Sequence, residues 1–340
     1  MARSTEPGDR GNVTADEVAA VAGVSRWTVN RAFRPDASIS KRSRERVMQA
    51  AQQLGYVPDL MASSLRSERS NLVAVLVDDF ANPHKLVMME RLTRILRKAG
   101  SDTLLVNMVD ESDASAALLS ASQRRVDATI LIGSEFGEEV VATALGAQRA
   151  RKLIVFARYS ENPNTISICC DDVAAMTTIT DFIMDRGYRN PLFLAGPQTV
   201  SAHLHRKETF LDLWSAKFGS RPESTWVRAY DPQLAYERVS ETLGGRSRGE
   251  LPDLLVCEND ALAVGAIDAI RFSLGLRVPE DIAVTGFDDV PQASSPNYRL
   301  TTYRQPVTVM AEALAAILAG NEPSGDLSRF EGELVVRESA

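Results

Sequence analysis

Side chains suited to DNA contact are concentrated near the start of the chain, at Arg26, Trp27, Thr28, Asn30 and Arg31. A guanidinium group can donate two parallel hydrogen bonds to guanine, an asparagine amide can pair with adenine, and hydroxyl and cationic groups can contact phosphates. Helical spacing places these side chains on the face opposite Val29 and Ala32. The pattern predicts a helix that reads base edges in a major groove.

Two short helical patterns separated by a turn would position this face. Thr14 and Glu17 form a capping-box pattern that starts the first helix. Gly23 ends that helix, and Ser25 can cap the second. Many ordinary helices carry a capping box, so the interpretation depends on the combination of two short helices, a tight turn and a polar second helix. This combination is typical of a helix-turn-helix DNA-binding head, and Thr14 and Ser25 belong to the predicted contact set.

Positive charge is concentrated in the same part of the chain. Residues 25–46 contain seven basic and two acidic side chains, whereas the whole chain has a formal net charge of −7. A basic end on an acidic protein indicates a DNA-binding head on a body that does not bind DNA, with Lys41 and Arg42 as further DNA contacts. The alternative is a solvated charged face, which does not explain why Arg26 and Arg31 share one short helix with Trp27.

Composition bounds the remaining possibilities. The chain has 340 residues, 44% hydrophobic and 24% charged, which is typical of a globular protein with more than one domain. We find no apolar run of membrane-spanning length and no signal-peptide core at the start, so we expect a cytoplasmic protein without a membrane partner. The spacing of the three cysteines does not suit a metal site.

From Leu72 onward, short β-branched runs alternate with helical patterns. The predicted strands are 73–77, 103–107, 129–132, 153–156, 166–170, 192–195, 225–228, 254–256 and 282–285, with a short final strand at 334–336. The predicted helices are 86–99, 113–122, 138–147, 173–185, 203–217, 233–243, 260–272 and 307–319. This alternation predicts an α/β body with two parallel sheets wrapped by helices, and a ligand cleft where the carboxyl ends of the strands face each other.

Patterns that could support catalysis are weak. The pairs Asp78-Asp79, Asp171-Asp172 and Asp288-Asp289 follow strands, where adjacent carboxylates point to opposite sides and usually cap helices or bind polar ligands. Gly133-Ser-Glu-Phe-Gly137 does not match a nucleophile elbow, because its serine directly follows the first glycine. We therefore predict that the protein is not an enzyme and uses neither a metal nor another cofactor.

Ordered motifs run through the whole chain. Val24-Ser-Arg-Trp-Thr-Val-Asn-Arg31 is followed by Leu54-Gly-Tyr-Val-Pro58 and by Ala62-Ser-Ser-Leu65. The body adds Asn82-Pro83, Glu258-Asn-Asp-Ala-Leu-Ala-Val-Gly265, Val278-Pro-Glu-Asp-Ile-Ala-Val-Thr-Gly-Phe-Asp-Asp289 and Leu300-Thr-Thr-Tyr-Arg-Gln-Pro306. The chain resembles the lac repressor (LacI/GalR) family of bacterial transcription regulators from about Val13 to its last predicted strand.

The resemblance implies a hinge helix that folds only on operator DNA and inserts a leucine into the minor groove. By position, Leu65 is that leucine and Ala62 is the small residue beside it. Apolar side chains inserted in this way unstack a base step and bend the DNA. Asp59 stands where the family commonly has Asn, and Ser63 stands where it commonly has Arg. The resemblance therefore does not settle whether this chain makes one of the family's phosphate contacts.

The resemblance also implies an effector site. Arg206 stands where family members place the arginine that grips the effector, and Asn259 and Asp288 stand at two further ligand-binding positions. Tyr230 aligns with an aromatic residue that stacks on the effector. Other interpretations stay open, because Asn259 or Asp172 can simply cap a helix and Tyr230 can belong to the core.

Two departures from the family bear on the effector's charge. Arg158 stands where sugar-binding relatives can carry an acid, and His84, followed by Lys85, replaces an aromatic residue after Asn82-Pro83. If Arg158 or His84 faces the cleft, the site favours an anion such as a sugar acid or sugar phosphate. The alternative is that Arg158 extends to solvent or pairs with Glu161.

These observations predict a disordered tail at 1–12, a helix-turn-helix head at 13–57, a hinge helix and linker at 58–70, and a two-lobed body resembling periplasmic binding proteins at 71–340. The predicted function is a dimeric repressor of a pseudo-palindromic operator, controlled by a small polar effector such as a sugar derivative. A solute-binding protein would lack the head, and an enzyme would need catalytic groups that the sequence does not show. The effector's identity and the direction of its effect are left open.

Overall fold

The computed structural model describes residues 13–34, 37–58, 69–108, 111–133, 152–197, 204–321 and 325–340. Chain contacts divide the protein into two units, residues 1–70 and 71–340. The predicted tail at 1–12, most of the predicted hinge with Leu65, Ala62, Asp59 and Ser63, and the predicted helix at 138–147 lie outside the described residues.

The described part of the first unit contains three helices: α1 (Ala15–Ala22), α2 (Arg26–Ala32) and α3 (Lys41–Leu54). The capping box forms as expected, because the Glu17 carboxylate accepts from the Thr14 amide at 2.7 Å and the Thr14 hydroxyl accepts from the Glu17 amide at 3.3 Å. Gly23 ends α1 with φ of 60°, a conformation that glycine adopts without strain. The Ser25 hydroxyl caps α2 by accepting from the Thr28 amide at 3.2 Å.

Small apolar side chains form the core of this unit. The fully buried residues are Val18, Ala19, Ala22, Val29, Ala32, Val47, Ala50 and Ala51. Alanine and valine allow the helices to approach closely, and each helix turns one apolar face inward. The predicted helix-turn-helix arrangement is confirmed.

The second unit contains seven helices and eleven strands within the described residues. The strands are β1 (Leu72–Val77), β2 (Asp102–Asn107), β3 (Ala128–Ile132), β4 (Leu153–Phe156), β5 (Ile166–Ile168), β6 (Pro191–Ala195), β7 (Glu223–Trp226), β8 (Leu254–Cys257), β9 (Ala283–Asp288), β10 (Thr301–Arg304) and β11 (Glu333–Val335). The helices are α4 (Pro83–Lys98), α5 (Glu111–Gln123), α6 (Asp172–Asp185), α7 (Arg206–Phe218), α8 (Pro232–Leu243), α9 (Asp260–Asp268) and α10 (Val307–Ala319).

The strands form two sheets, as predicted. The first sheet has the order β2-β1-β3-β4-β5 and is entirely parallel. The second has the order β11-β10-β9-β8-β6-β7, in which β11 alone runs antiparallel to its neighbour. Apart from β11, both sheets repeat one doubly wound order, so each has a switch point at the carboxyl ends of its central strands.

Helices cover both faces of each sheet. We define the first lobe as the first sheet with α4, α5 and α10, and the second lobe as the second sheet with α6 to α9. In the first lobe, α4 and α10 share one core with β1, while α5 packs on the opposite face. In the second lobe, α8 and α9 pack on one face, and α6 and α7 on the other.

The chain crosses between the lobes three times: between β5 and α6, between β10 and α10, and between α10 and β11. Helix α10 therefore belongs to the core of the first lobe, although it follows β6 to β10 of the second lobe in the sequence. Within the described part of the chain, we find no helix that is both long and apolar enough to cross a bilayer.

Several predicted elements differ in detail. Strand β10 was not predicted, β7 begins two residues earlier than expected, and the predicted helix at 260–272 ends as α9 at Asp268 and continues as a π-helical turn at Ala269–Ser273. Thr301 and Thr302 make β10 look polar in the sequence, although both are buried. Their hydroxyls are satisfied by the Arg337 carbonyl and the Asp260 carboxylate, respectively.

Candidate functional site

A polar cavity lies between the two lobes at the carboxyl ends of the central strands. All six residues predicted to bind an effector line it: His84, Arg158, Arg206, Tyr230, Asn259 and Asp288. Its volume is about 30 Å³, which accommodates one or two water molecules and no larger ligand. A second cavity of about 430 Å³ adjoins it and shares Arg158, Leu204 and Tyr230 with it.

Arg206 is the first residue of α7 and is only 3% exposed. Its Nε donates to Asp172 Oδ1 at 3.0 Å, its Nη1 donates to the Glu258 carbonyl at 3.0 Å, and its guanidinium lies 3.6 Å from the centre of the Phe287 ring. Burial lowers the pKa of Arg206, but the carboxylates of Asp172 and Asp288 outweigh burial and hold the pKa above its usual value. These contacts fix a permanently charged guanidinium at the cavity.

Asp288 ends β9 and places its carboxylate at the centre of the cavity. Its Oδ1 accepts from Gln305 Nε2 at 2.6 Å and lies 4.0 Å from Arg206 Nη1. The φ angle of Asp288 is 124°, in a region that non-glycine residues rarely adopt, so the surrounding contacts hold a strained backbone in place. Gln305 was quoted only as part of a motif and was not predicted as a site residue.

Asn259 both caps a helix and lines the cavity. Its Oδ1 accepts from the Leu262 amide at 3.1 Å at the start of α9. The cap uses the carbonyl oxygen, so the amide nitrogen is the group that can donate to a ligand. Asp172 does not cap α6; Asp171 does, by accepting from the Ala174 amide, while Asp172 pairs with Arg206.

Tyr230 belongs to the apolar core of the second lobe and also reaches the cavity. Its hydroxyl donates to Glu258 Oε2 at 2.9 Å, and the same oxygen accepts from the Gly196 amide at 2.6 Å. Burial raises the pKa of both Tyr230 and Glu258. Sequence reasoning missed Glu258, although a carboxylate directly after the apolar strand β8 was a visible signal.

His84 and Arg158 face the cleft from the first lobe. Arg158 is 7% exposed, so the alternative in which it extends to solvent is wrong. Its Nη2 lies 3.4 Å from the Tyr230 hydroxyl, and His84 Nε2 lies 3.8 Å from Asp288 Oδ1. Both contacts join the first lobe to the second. Burial lowers the pKa of His84 despite the nearby Asp288 carboxylate, which favours the neutral imidazole.

Lys85 lines the cavity from the first lobe, and Asp79 lies near it. The Lys85 ammonium is buried and lies 3.5 Å from Asp78 Oδ1. Burial raises the pKa of Asp79 to about 7, even though the nearby charge of Lys85 opposes this shift. We find no group of acidic, histidine or cysteine side chains arranged to hold a metal ion in the described ranges.

The outward face of α2 in the first unit carries the polar side chains that were predicted to contact DNA. Trp27 is 65% exposed, and the Arg31 guanidinium lies 4.3 Å from its ring centre while donating to the Ser38 carbonyl at 2.7 Å. Arg26 pairs with Asp16 at 3.1 Å. Each guanidinium carries five N–H groups, so these contacts leave donors for a base edge. The remaining predicted contacts lie at helix starts or on exposed positions: Thr14, Ser25, Thr28, Asn30, Lys41 and Arg42.

Arg44 was not predicted to matter, yet it fixes the connection between α2 and α3. Its guanidinium donates to the carbonyls of Ala32, Arg34 and Ala37, the last two at 3.1 and 3.2 Å. These carbonyls belong to the end of α2 and to the segment that follows it. A structural clamp of this kind cannot be distinguished from a DNA-contacting arginine by composition alone.

Comparison with known families and proteins agrees with this geometry. Residues 14–59 match the bacterial regulatory proteins of the lacI family, and residues 180–340 match the periplasmic binding protein-like domain. The sucrose operon repressor of Escherichia coli is 29% identical over 331 residues, which cover 94% of this chain and 98% of that protein. The PurR repressor of Pasteurella multocida is 26% identical, covering 96% and 98% of the two chains.

Solved structures show the same fold. The lac repressor dimer bound to operator and the anti-inducer ONPF has a TM-score of 0.82, with 22% identity over 97% of this chain and 99% of that chain. The arrangement of helical head and two-lobed body is therefore shared along nearly the full length of both proteins.

Proposed function

We propose that the chain is a regulator of the lacI family of bacterial regulatory proteins, which represses transcription by binding a pseudo-palindromic operator as a homodimer under control of a small polar effector. It is a ligand-responsive DNA-binding regulator rather than an enzyme. The observation that carries the proposal is that one chain combines an exposed polar helix on a helix-turn-helix head with a polar cavity between two lobes.

In the proposed DNA complex, α2 lies in the major groove. Arg26, Trp27 and Arg31 contact base edges, while Lys41 and Arg42 contact phosphates. The hinge segment supplies Leu65 to the minor groove at the centre of the operator. Two heads related by a twofold axis match two half-sites, and this symmetry explains why the operator is pseudo-palindromic.

The effector acts at the cavity between the lobes. Arg206, Asn259 and Asp288 offer a mixture of donors and acceptors suited to vicinal hydroxyl groups, with Tyr230 as an apolar wall. An effector of sugar size is larger than the cavity of about 30 Å³ and therefore has to increase the distance between the lobes. The resulting change in the angle between the lobes moves the two hinges together or apart.

Gel-shift experiments test DNA binding directly. Sites selected from random duplexes by the full chain are expected to be palindromic, and a variant lacking residues 1–66 is expected not to bind them. Retention of full affinity by the truncated variant would contradict the proposal. Light scattering of the complex should give two chains per operator.

Coupling between the two sites provides a second test. A thermal-shift screen of sugars, sugar acids, sugar phosphates and nucleobases identifies a ligand, because a ligand that binds the folded state raises Tm. If that ligand changes operator affinity by some factor, operator DNA must change ligand affinity by the same factor. Calorimetric titration with and without operator measures the second factor, and unequal factors would rule out the two-site scheme.

A further inference from the structure

We propose that the effector is a neutral ligand of two linked polyhydroxylated rings, and that its second ring binds between Trp226 and Glu258, in what we call the second subsite. This inference rests on the proposed effector-binding function and specifies the chemical class of the effector. It is carried by the second cavity, by the strand ends that form its wall, and by the side chains that line it.

The second cavity has the size of a ligand site. Its volume is about 430 Å³, within the range of roughly 300–1,000 Å³ that is typical of sites for small ligands. It shares Arg158, Leu204 and Tyr230 with the smaller cavity between the lobes, which is lined by Arg206 and Asp288. A ligand whose first ring contacts Arg206 and Asp288 can therefore extend past Tyr230 into the second cavity.

Three neighbouring strands of the second sheet end at this cavity. Trp226 ends β7 and lies in register with Ala195 at the end of β6, and Glu258 directly follows β8 on the other side of β6. Neighbouring strands are about 4.8 Å apart, so the backbones of Trp226 and Glu258 are separated by about 10 Å. Both residues line the cavity. A ring that lies over the end of β6 can therefore contact both side chains.

Trp226 offers an apolar surface for such a ring. It is 52% exposed, whereas Trp214 in the same lobe is fully buried. Single exposed aromatic side chains are common on protein surfaces, so the argument depends on the position of Trp226 at a cavity that adjoins the predicted effector residues. The face of a sugar ring carries C–H groups and can stack on the indole, while its hydroxyl groups remain free to form hydrogen bonds at the ring edge.

Glu258 offers a fixed acceptor on the opposite side of the second subsite. It is 7% exposed, and its Oε2 accepts from the Tyr230 hydroxyl at 2.9 Å and from the Gly196 amide at 2.6 Å. A Cβ atom added to Gly196 would lie 2.1 Å from the Tyr230 ring, so this wall is tightly packed. A carboxyl group has further lone pairs, so Glu258 can accept from a ligand hydroxyl without losing the contacts that position it.

The charged lining of the second cavity is mixed. Its acidic and basic residues within the described chain are Arg158, Lys207, Glu161, Glu208 and Glu258. Because neither sign is in clear excess, this lining does not select an ion. Donors and acceptors that alternate around a cavity suit hydroxyl groups, which can both donate and accept. The lining therefore favours a neutral polyhydroxylated ring.

Matched ligands of one and two rings test the second subsite. Glucose, galactose and fructose should be compared with maltose, cellobiose, lactose, melibiose and sucrose, first by thermal shift on the full chain and then by calorimetric titration. We expect at least one two-ring sugar to bind about ten- to a hundredfold more tightly than either of its component sugars, because it adds stacking on Trp226 and a hydrogen bond to Glu258.

Trp226→Ala should remove most of this gain while leaving the affinity for the component sugars nearly unchanged. Trp226→Phe should retain much of the gain because it keeps an aromatic plane. Trp226→Leu should lose it, and this variant replaces Trp226→Ala if the alanine variant does not fold. Phe272→Ala is the control, because it removes an aromatic side chain that is 78% exposed on the same lobe and lines neither cavity.

Three results would overturn the proposal: no two-ring sugar that binds more tightly than its component sugars, a gain that Trp226→Ala leaves intact, or equal losses in Trp226→Ala and Phe272→Ala. These results are separate from DNA recognition. A single-ring sugar that alters operator binding, with no tighter two-ring sugar, would support the regulatory function and refute the second subsite, whereas failure of operator binding would refute the regulatory function.

Discussion

At the scale of single residues, the carboxyl groups that follow β1 and β8 differ in the partners of their oxygens. Glu258 accepts from the Tyr230 hydroxyl and the Gly196 amide, and Asp260 accepts from the Thr302 hydroxyl at 2.6 Å and the Val290 amide at 2.9 Å. Asp79 differs from them, because its Oδ2 is buried without a partner among the described residues. Among the described residues, no hydrogen bond therefore holds this oxygen of Asp79 in the ionised form.

Asp79→Asn should remove part of the pH dependence of stability. The pKa of Asp79 is about 7 in the folded protein and near 3.8 when unperturbed, so the folded state binds this proton more tightly. Stability from the protonated form is present at low pH and is lost as the pH rises from about 4 to about 7. Urea unfolding at about pH 5 and about pH 8 should show a larger loss for the wild type than for the variant. Equal losses in both proteins would contradict the assignment.

Arg31→Ala should weaken binding to the preferred operator by about 1–3 kcal/mol and relax base preference at one position, because it removes a bidentate donor. Lys41→Ala should instead weaken binding to all duplexes about equally. Binding-site selection with each variant distinguishes the two effects. An unchanged motif at unchanged affinity for Arg31→Ala would show that α2 does not read bases through this residue.

Close contacts between helices constrain the second lobe at the scale of elements. A Cβ atom added to Gly265 in α9 would lie 2.0 Å from the Pro232 carbonyl at the start of α8. This contact explains the glycine that ends the Glu258–Gly265 motif. The family resemblance gave the motif without a reason for this glycine, and the structure supplies one.

Gly265→Ala should destabilise the protein by about 1–3 kcal/mol, because the backbone of α8 has to shift to relieve the clash. Gly245→Ala is the control, since a Cβ atom there meets no other atom within 4 Å. Thermal unfolding measures both effects. A Gly265→Ala variant as stable as Gly245→Ala would mean that the two helices separate without cost.

Arg44→Met should destabilise the head by about 1–3 kcal/mol, because it removes the donor that holds three carbonyls of the α2–α3 connection. Arg42→Met, two positions earlier in the same helix, changes an exposed arginine and should weaken DNA binding without altering stability. Hydrogen exchange of α2 amides separates the two variants. Equal protection in both would show that Arg44 is not a structural clamp.

The alternation of strands and helices could be predicted because buried parallel strands require continuous apolar runs, such as Leu72–Val77 and Leu254–Cys257. Strand β10 could not be predicted, since its threonines are buried only because Asp260 and the Arg337 carbonyl satisfy them. The six cavity residues were predicted from motif positions. Glu258, Gln305 and Asp172 were not, because their importance depends on partners distant in the sequence.

At the scale of the whole molecule, each lobe is formed by segments that are separate in the sequence. Helix α10 follows β10 of the second lobe, yet Met310 and Leu314 lie in the core of the first lobe beside β1. Neither lobe is therefore one continuous segment. A truncation before Val307 would remove part of the first lobe as well as the end of the second, so the two lobes cannot be studied by simply dividing the chain.

The narrow cavity between the lobes has a consequence for the speed of the response. A sugar-sized molecule does not fit the volume of about 30 Å³ among the six predicted effector residues, so it can contact all of them only after the lobes move apart. Stopped-flow mixing should therefore give an association rate that rises with ligand concentration and then reaches a plateau set by opening. A rate that stays proportional to concentration would contradict this gating. With a plateau, the delay before the regulator responds to a sudden supply of ligand is set by the protein and not by the amount supplied.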